Sequence, residues 1–303
     1  MQYCQPLVTA LTPLLINMRV LVTGANGQLG QELQALQNSH TNIDFTFLSR
    51  TELDISDSDA VQKYFSELVP DYCINCAAYT AVDKAEGEEA AAYRINAAGT
   101  QHLALACKSF NTRFIHISTD YVFDGNGTTP YVEESPISPI GIYGASKREG
   151  ERLAQEVNDD AVIIRTSWVF SSFGSNFVKT MLRLMPAKES LNVVNDQRGC
   201  PTYAADLASA ILQIISEGKW TPGIFHFSNA KETTWFEFAT AIKAHCQFTC
   251  TVDPITTDQY PTPAKRPAYS VLDTKKISAT YGITIRDWQT SLADCLAKLK
   301  CAV

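Results

Sequence analysis

The stretch RVLVTGANGQLGQELQALQ, Arg19–Gln37, decides the fold. Val20, Leu21 and Val22 form a short apolar run of strand character, and the spacing of Leu29, Leu33 and Leu36 after it is helical. Between the two lie Gly24, Gly27 and Gly30. Glycines at a strand-to-helix turn let the backbone turn tightly and approach a pyrophosphate, whose charge is stabilised by the unpaired amides of the helix N-terminus. The spacing is G-x-x-G-x-x-G, a departure from G-x-G-x-x-G. Gly24, Gly27, Gln28, Leu29 and Gly30 are therefore expected to hold a dinucleotide.

Outward from this turn, strand and helix patterns alternate. FTFLS (45–49), DYCINCAA (71–78), RFIHIST (113–119) and AVIIRTSWVF (161–170) read as strands. DSDAVQKYFSELV (57–69), AAAYRINAAGTQHLALACKSF (90–110) and GASKREGERLAQEV (144–157) read as helices, with Ser56 and Asp57 as cap candidates for the first. Such alternation predicts a Rossmann-type α/β fold, a doubly wound parallel sheet covered on both faces. The sheet is expected to occupy residues 18–168 and 193–226, with a smaller C-terminal substrate-binding domain from 169–192 and 227–303. The Pro-rich passage DPITTDQYPTPAKRPAYS (253–270) falls in the latter, and a loop of that length implies ligand contact or disorder.

Composition narrows the partners. With 32 acidic against 25 basic residues, a net charge of -7, the chain offers no basic footprint for nucleic acid or an anionic membrane surface. Residues 1–17 lack a cationic start and a cleavage site, and are too short and too proline-broken to span a bilayer. They are expected to be a dispensable extension, with Met18 as an alternative start and the cytoplasm as the location. The nine cysteines read as free thiols of a reducing compartment. Neither Cys73 with Cys76 nor Cys246 with Cys250 lies in the turn-rich knuckle that zinc needs, and no metal site is expected.

In FLSRTELDIS (47–56), the end of the second strand should set ribose preference. Ser49 and Arg50 suit a 2′-phosphate, which favours NADPH, while Asp54 and Ile55 clasp the adenine and leave NADH possible. Ala78, Tyr79 and Thr80, ending the third strand, are expected to line the same cofactor. Tyr143 and Lys147 stand at i and i+4 on one helical face. A tyrosine with a pKa of about 10 is a reluctant acid, and a neighbouring ammonium favours its phenolate. Tyr143 and Lys147, with Thr119 at the end of the fourth strand, form the expected catalytic set, in which lysine also holds the nicotinamide ribose.

With TGANGQLG, the segments NCAAYTAVDKAE, ISTDYVFDG, SPIGIYGASKREGE, RTSWVF, NDQRGCPT and YPTPAKRP make the chain similar to the dTDP-4-dehydrorhamnose reductases, extended members of the short-chain dehydrogenase/reductase family. The resemblance runs from Met18 nearly to the C-terminus. It implies reduction by NADPH at C4 of dTDP-4-dehydro-6-deoxy-L-mannose, the last step of dTDP-L-rhamnose synthesis, by a monomer or homodimer. Tyr143 would protonate the alkoxide with help from Thr119. Val82, Thr119 and Asp120 would touch the sugar, Trp168 would pack against it, and Arg266 would reach the diphosphate. Some members bind Mg2+ through three glutamates; Glu32 matches the first position, but Ala205 and Gln289 stand at the others. A related epimerase or reductase, or a non-catalytic NADP-binding regulatory subunit, would share most of these features. A dehydratase would need a second acid beside Asp120, where Tyr121 stands.

Overall fold

The computed structural model describes residues 17–301. The expected N-terminal extension falls almost wholly outside them.

Six parallel strands form the central sheet, and each pairs where its apolar run predicts. They are β1 (Met18–Thr23), β2 (Ile43–Leu48), β3 (Tyr72–Asn75), β4 (Arg113–Thr119), β5 (Val162–Thr166) and the strand Gly223–His226, in the order Gly223–His226, β5, β4, β3, β1, β2. Successive side chains along a strand point to opposite faces, so a sheet buried on both sides needs no polar alternation. Val20, Val22 and Ile74 accordingly join one core with Leu29 and Leu33 of α1 (Gln28–Leu36) and the helix Ala204–Ser216. Leu21, Cys73 and Phe114 join a second core with α2 (Ser58–Leu68), α3 (Thr100–Ser109) and Ala154 of α4 (Ile142–Val157). Asp57 caps α2 by accepting from the amides of Asp59 and Ala60, whereas Ser56 is bonded to Asp54.

The long helix read over residues 90–110 carries a π-helical turn at Arg94–Gly99. Such bulges cluster at functional sites because they re-aim a side chain. Here the turn presents buried Asn96, whose amide accepts from the Tyr79 N–H at 2.8 Å and donates to the Tyr79 carbonyl at 3.1 Å. The segment leaving β3 is thereby fixed.

Three expectations need correction. The stretch from 193 joins the sheet only through the helix Ala204–Ser216 and the strand Gly223–His226, because Ser190–Val194 pairs instead with Thr251–Ile255. Val193 belongs to a third core, built from Phe170, Phe238, Ile242, Trp288 and Leu292. The fifth strand also stops early. Trp168 has a φ of 47°, a left-handed conformation that breaks the ladder, and Val169–Phe170 then pairs with Thr202–Tyr203. In addition, Cys246 and Cys301 form a disulfide across 55 residues, so the reading of all cysteines as free fails for this pair. It ties the end of the helix Trp235–His245 to the residues after the last helix, Trp288–Lys298.

Candidate active site

The carboxyl ends of β1, β3, β4 and β5 open into a cleft of about 1290 Å³, walled on its far side by residues 174–177, Trp235 and Arg266. Gly24 forms the floor with a φ of 70°, and an added Cβ there would lie 2.5 Å from the Ala77 amide nitrogen. Only glycine fits both the conformation and the approach. Helix α1 begins above it, with Gly27 as its N-cap and no side chain bonded to the first-turn amides. This glycine cradle and these open donors fit a pyrophosphate.

Most expected cofactor residues line the cleft: Gly24, Gly27, Gln28, Leu29, Arg50, Asp54, Ile55, Ala78, Tyr79 and Thr80. Two do not. Gly30 lies behind the turn, where an added Cβ would strike the carbonyl oxygens of Gly24 and Ala25 at 2.6 and 2.7 Å, so it serves packing. Ser49 is buried, and both its amide and its hydroxyl donate to Glu52 at 2.7 Å. Its hydroxyl is committed to a carboxylate and is not offered to a phosphate. Arg50 is free to do so: its side chain is 69% exposed and its nearest acid, Asp54, is 3.9 Å away.

Tyr143 lies in the first turn of α4. Two contacts place that turn. The Ile142 amide donates to Glu86 at 2.9 Å, which sets a carboxylate at the helix N-terminus. Gly144 lets the helix press on the preceding segment, since an added Cβ would lie 2.1 Å from the Tyr121 carbonyl oxygen. The Tyr143 ring meets Tyr121 edge-on at 5.5 Å. Burial pushes its phenol up to about 12, opposed by a hydrogen bond with Thr119. Tyr143 and Thr119 thus come together as expected.

Lys147 departs from expectation. It lines the cleft with Tyr143 but is 1% exposed, and Nζ donates to the Ile117 carbonyl at 2.6 Å and lies 3.1 Å from His116 Nε2. Burial brings Lys147 down to about 8. Burial rather than Lys147 sets the direction of the tyrosine's shift here.

Asp120 is 3% exposed, and burial raises its carboxyl to about 7 against hydrogen bonds from Thr119 and Ser270. Thr119 Oγ1 donates to its Oδ1 at 2.9 Å, while Oδ2 and the neighbouring Ser118 hydroxyl have no partner. Orphaned polar atoms at the wall of a cleft are the positions a ligand satisfies. Val82 and Arg266 also line the cleft. Arg266 is held by Asp83, its Nη2 2.8 Å from Oδ2, and donates to the Ala264 carbonyl at 2.8 Å. Trp168 needs the largest revision. Its indole stacks on Trp235 with centroids 3.6 Å apart and an 8° interplanar angle, and an added Cβ at Gly199 would lie 2.6 Å from its Cε2. One indole face is thus covered by a second tryptophan, while Trp168 and Trp235 both line the cleft.

Asp83, Glu86, Asn96 and Trp235 were missed as site residues. Only Trp235 carried a local signal, a capping box in which Thr234 and Glu237 satisfy each other's amides.

The three-glutamate metal arrangement does not fit. Glu32 is buried and accepts from the Ser171 hydroxyl at 2.6 Å and from Lys298 Nζ at 3.4 Å; Ala205 and Gln289 supply no carboxylate.

The sequence profile of the RmlD substrate binding domain matches residues 18–301. The chain belongs to the dTDP-4-dehydrorhamnose reductase family. The dTDP-4-dehydrorhamnose reductase of Aggregatibacter actinomycetemcomitans is 44% identical over 289 residues, covering 92% of this chain and 98% of that one. The crystal structure of a Clostridium acetobutylicum dTDP-4-dehydrorhamnose reductase superposes with a TM-score of 0.90 at 41% identity, covering 93% and 100% of the two chains. That of the Bacillus anthracis dTDP-4-dehydrorhamnose reductase in complex with NADP gives 0.89 at 39%, covering 93% and 99%. As a member of this family the chain is an NAD(P)H-dependent oxidoreductase.

Proposed function

We propose that this reductase carries hydride from NADPH to C4 of dTDP-4-dehydro-6-deoxy-L-mannose, giving dTDP-L-rhamnose in the last step of its synthesis. The observation that carries the reading is the convergence of the Tyr143 and Thr119 hydroxyls beside the orphaned atoms of Ser118 and Asp120, within the cleft that holds the glycine cradle. The amides of α1 and the Gly24 turn would hold the pyrophosphate, Arg50 the 2′-phosphate, and Tyr79 and Thr80 the wall beside them. When bound, the nicotinamide supplies the hydride.

The remaining work falls to side chains. Tyr143, with its phenol at about 12, is fully protonated at neutral pH and so is ready as a donor. Its proton would pass to the C4 oxygen as the carbonyl electron pair moves onto that atom, and Thr119, turning its hydroxyl from Asp120 Oδ1, would donate a second hydrogen bond there. Arg266, pre-oriented by Asp83, faces the cleft where a planar fork suits the diphosphate. Trp168 would meet the sugar with the part of its indole that lines the cleft beside Trp235. The reaction uses soluble partners and belongs in the cytoplasm; among the described residues no helix is long and apolar enough to cross a membrane.

The test is NADPH oxidation with the dTDP-keto-sugar generated in situ, followed by identification of the product. A 4-epimer of dTDP-L-rhamnose, or no turnover, would refute the substrate assignment. Tyr143→Phe should lower kcat by about 10²- to 10⁴-fold, the usual worth of a positioned acid, with NADPH affinity nearly intact. Unchanged turnover in that variant would remove the proton-donor role.

A further inference from the structure

Beneath the cleft a chain of buried polar groups runs from β1 to α4, and its donors and acceptors can be assigned in order. The Ala77 amide can only donate, and it donates to Asn75 Oδ1 at 3.1 Å; the Thr23 hydroxyl donates to the same oxygen at 2.8 Å. That fixes the Asn75 amide, because the flipped form would set two donors face to face. Asn75 Nδ2 then donates to His116 Nδ1 at 3.0 Å. A neutral imidazole that accepts at Nδ1 carries its proton on Nε2. Nε2 faces Lys147 Nζ at 3.1 Å, and an ammonium has three donors and no lone pair. The ladder is consistent only if Nζ is an amine, accepting from His116 and donating to the Ile117 carbonyl. A charged His116 would donate from both nitrogens and collide with Asn75.

The geometry points to His116 as a positioning residue that favours the neutral amine of Lys147 over its ammonium while the cofactor site is empty. This rests on the reading of Lys147 as the nicotinamide-ribose ligand, and it gives that lysine a proton to gain when the anionic cofactor arrives. The groups around it agree. Cys76 from the end of β3 is a buried thiol raised by desolvation and stays uncharged; Tyr143 on the same helix is protonated. Glu151, one turn on, favours the ammonium, but its carboxylate is bonded by Arg165 of β5 through two 2.8 Å contacts and by Arg148 at 3.3 Å. His116 itself is driven well toward neutrality by burial.

Two measurements on the cofactor-free protein test this. In 15N-resolved NMR of the unaltered chain, His116 should be the Nε2–H tautomer at pH 9, above the lysine's midpoint; the Nδ1–H tautomer would overturn the proposal. A 13C titration of the Lys147 ε-carbon, assigned with Lys147→Met, should give a midpoint near 8, against about 10.4 for an ordinary lysine. In His116→Gln the side-chain carbonyl can take the place of Nε2–H and accept from Nζ, so the midpoint should rise by about one unit or more, a tenfold change in the proton equilibrium. An ordinary midpoint in the parent, or the same midpoint in both proteins, would overturn it. The tautomer measurement stands if the variant does not fold. Neither readout depends on turnover, so their failure is distinct from failure of the proposed reaction.

Discussion

Asp120→Asn isolates the cost of a buried carboxylate in the cleft. The substitution keeps an oxygen to accept from Thr119 Oγ1 and removes only the charge. In the folded protein the Asp120 carboxyl is moved by burial from 3.8 to about 7. At 1.36 kcal/mol per unit, the folded state is therefore penalised by about 4 kcal/mol at pH 8, where the carboxylate is ionised in both states. Between pH 4 and 7 the native chain holds a proton that the unfolded chain has released, so the parent loses stability as pH rises through this window, and the loss is complete above it. The asparagine has no such slope. Its Nδ2 replaces an oxygen that has no partner, and an unpaired buried donor costs about 1–3 kcal/mol. The variant should exceed the parent by about 2 kcal/mol at pH 8, and its advantage should shrink by about 1.4 kcal/mol per unit below pH 7. Urea unfolding followed by circular dichroism at pH 5, 6, 7 and 8 measures the difference directly, and groups common to both proteins cancel. A difference that stays constant across those pH values would show that Asp120 titrates like an exposed carboxyl, and the reasoning from burial would be wrong.

Two further substitutions separate recognition from architecture. Arg50→Ala should weaken NADPH by about tenfold or more, equivalent to one lost charge-assisted contact, while NADH is little changed; equal effects on the two cofactors in a fluorescence titration would remove Arg50 as the phosphate reader. Glu151→Gln breaks a fully buried bidentate pair with Arg165 and should cost about 3–5 kcal/mol of unfolding free energy, read by the same urea assay; a loss under 1 kcal/mol would mean the pair contributes little beyond its desolvation.

The sheet was legible because its strands are apolar runs separated by helices with their own periodicity, a pattern that leaves one handed, parallel solution. The partner of Ser190–Val194 was not legible: five residues, three of them apolar, do not encode which sheet they join. The glycine turn and the Tyr143, Lys147 and Thr119 set were readable from spacing. The contact of Lys147 with His116 was not, since His116 lies inside RFIHIST, which reads as one more buried strand. Ser49 was misassigned because Glu52, three residues on, takes both of its donors. Asp83 and Arg266 meet across 183 positions, and Cys246 and Cys301 across 55; contacts of that range leave no mark on local pattern. Trp168 read as a free platform because neither its left-handed backbone nor the indole that covers it is written in neighbouring residues.

The pairing of Glu32 with Lys298 has a consequence for how the protein tolerates its surroundings. Here the positive charge is carried on the final helix itself, so dialysis cannot remove it and scarcity of divalent salts leaves that corner of the fold intact.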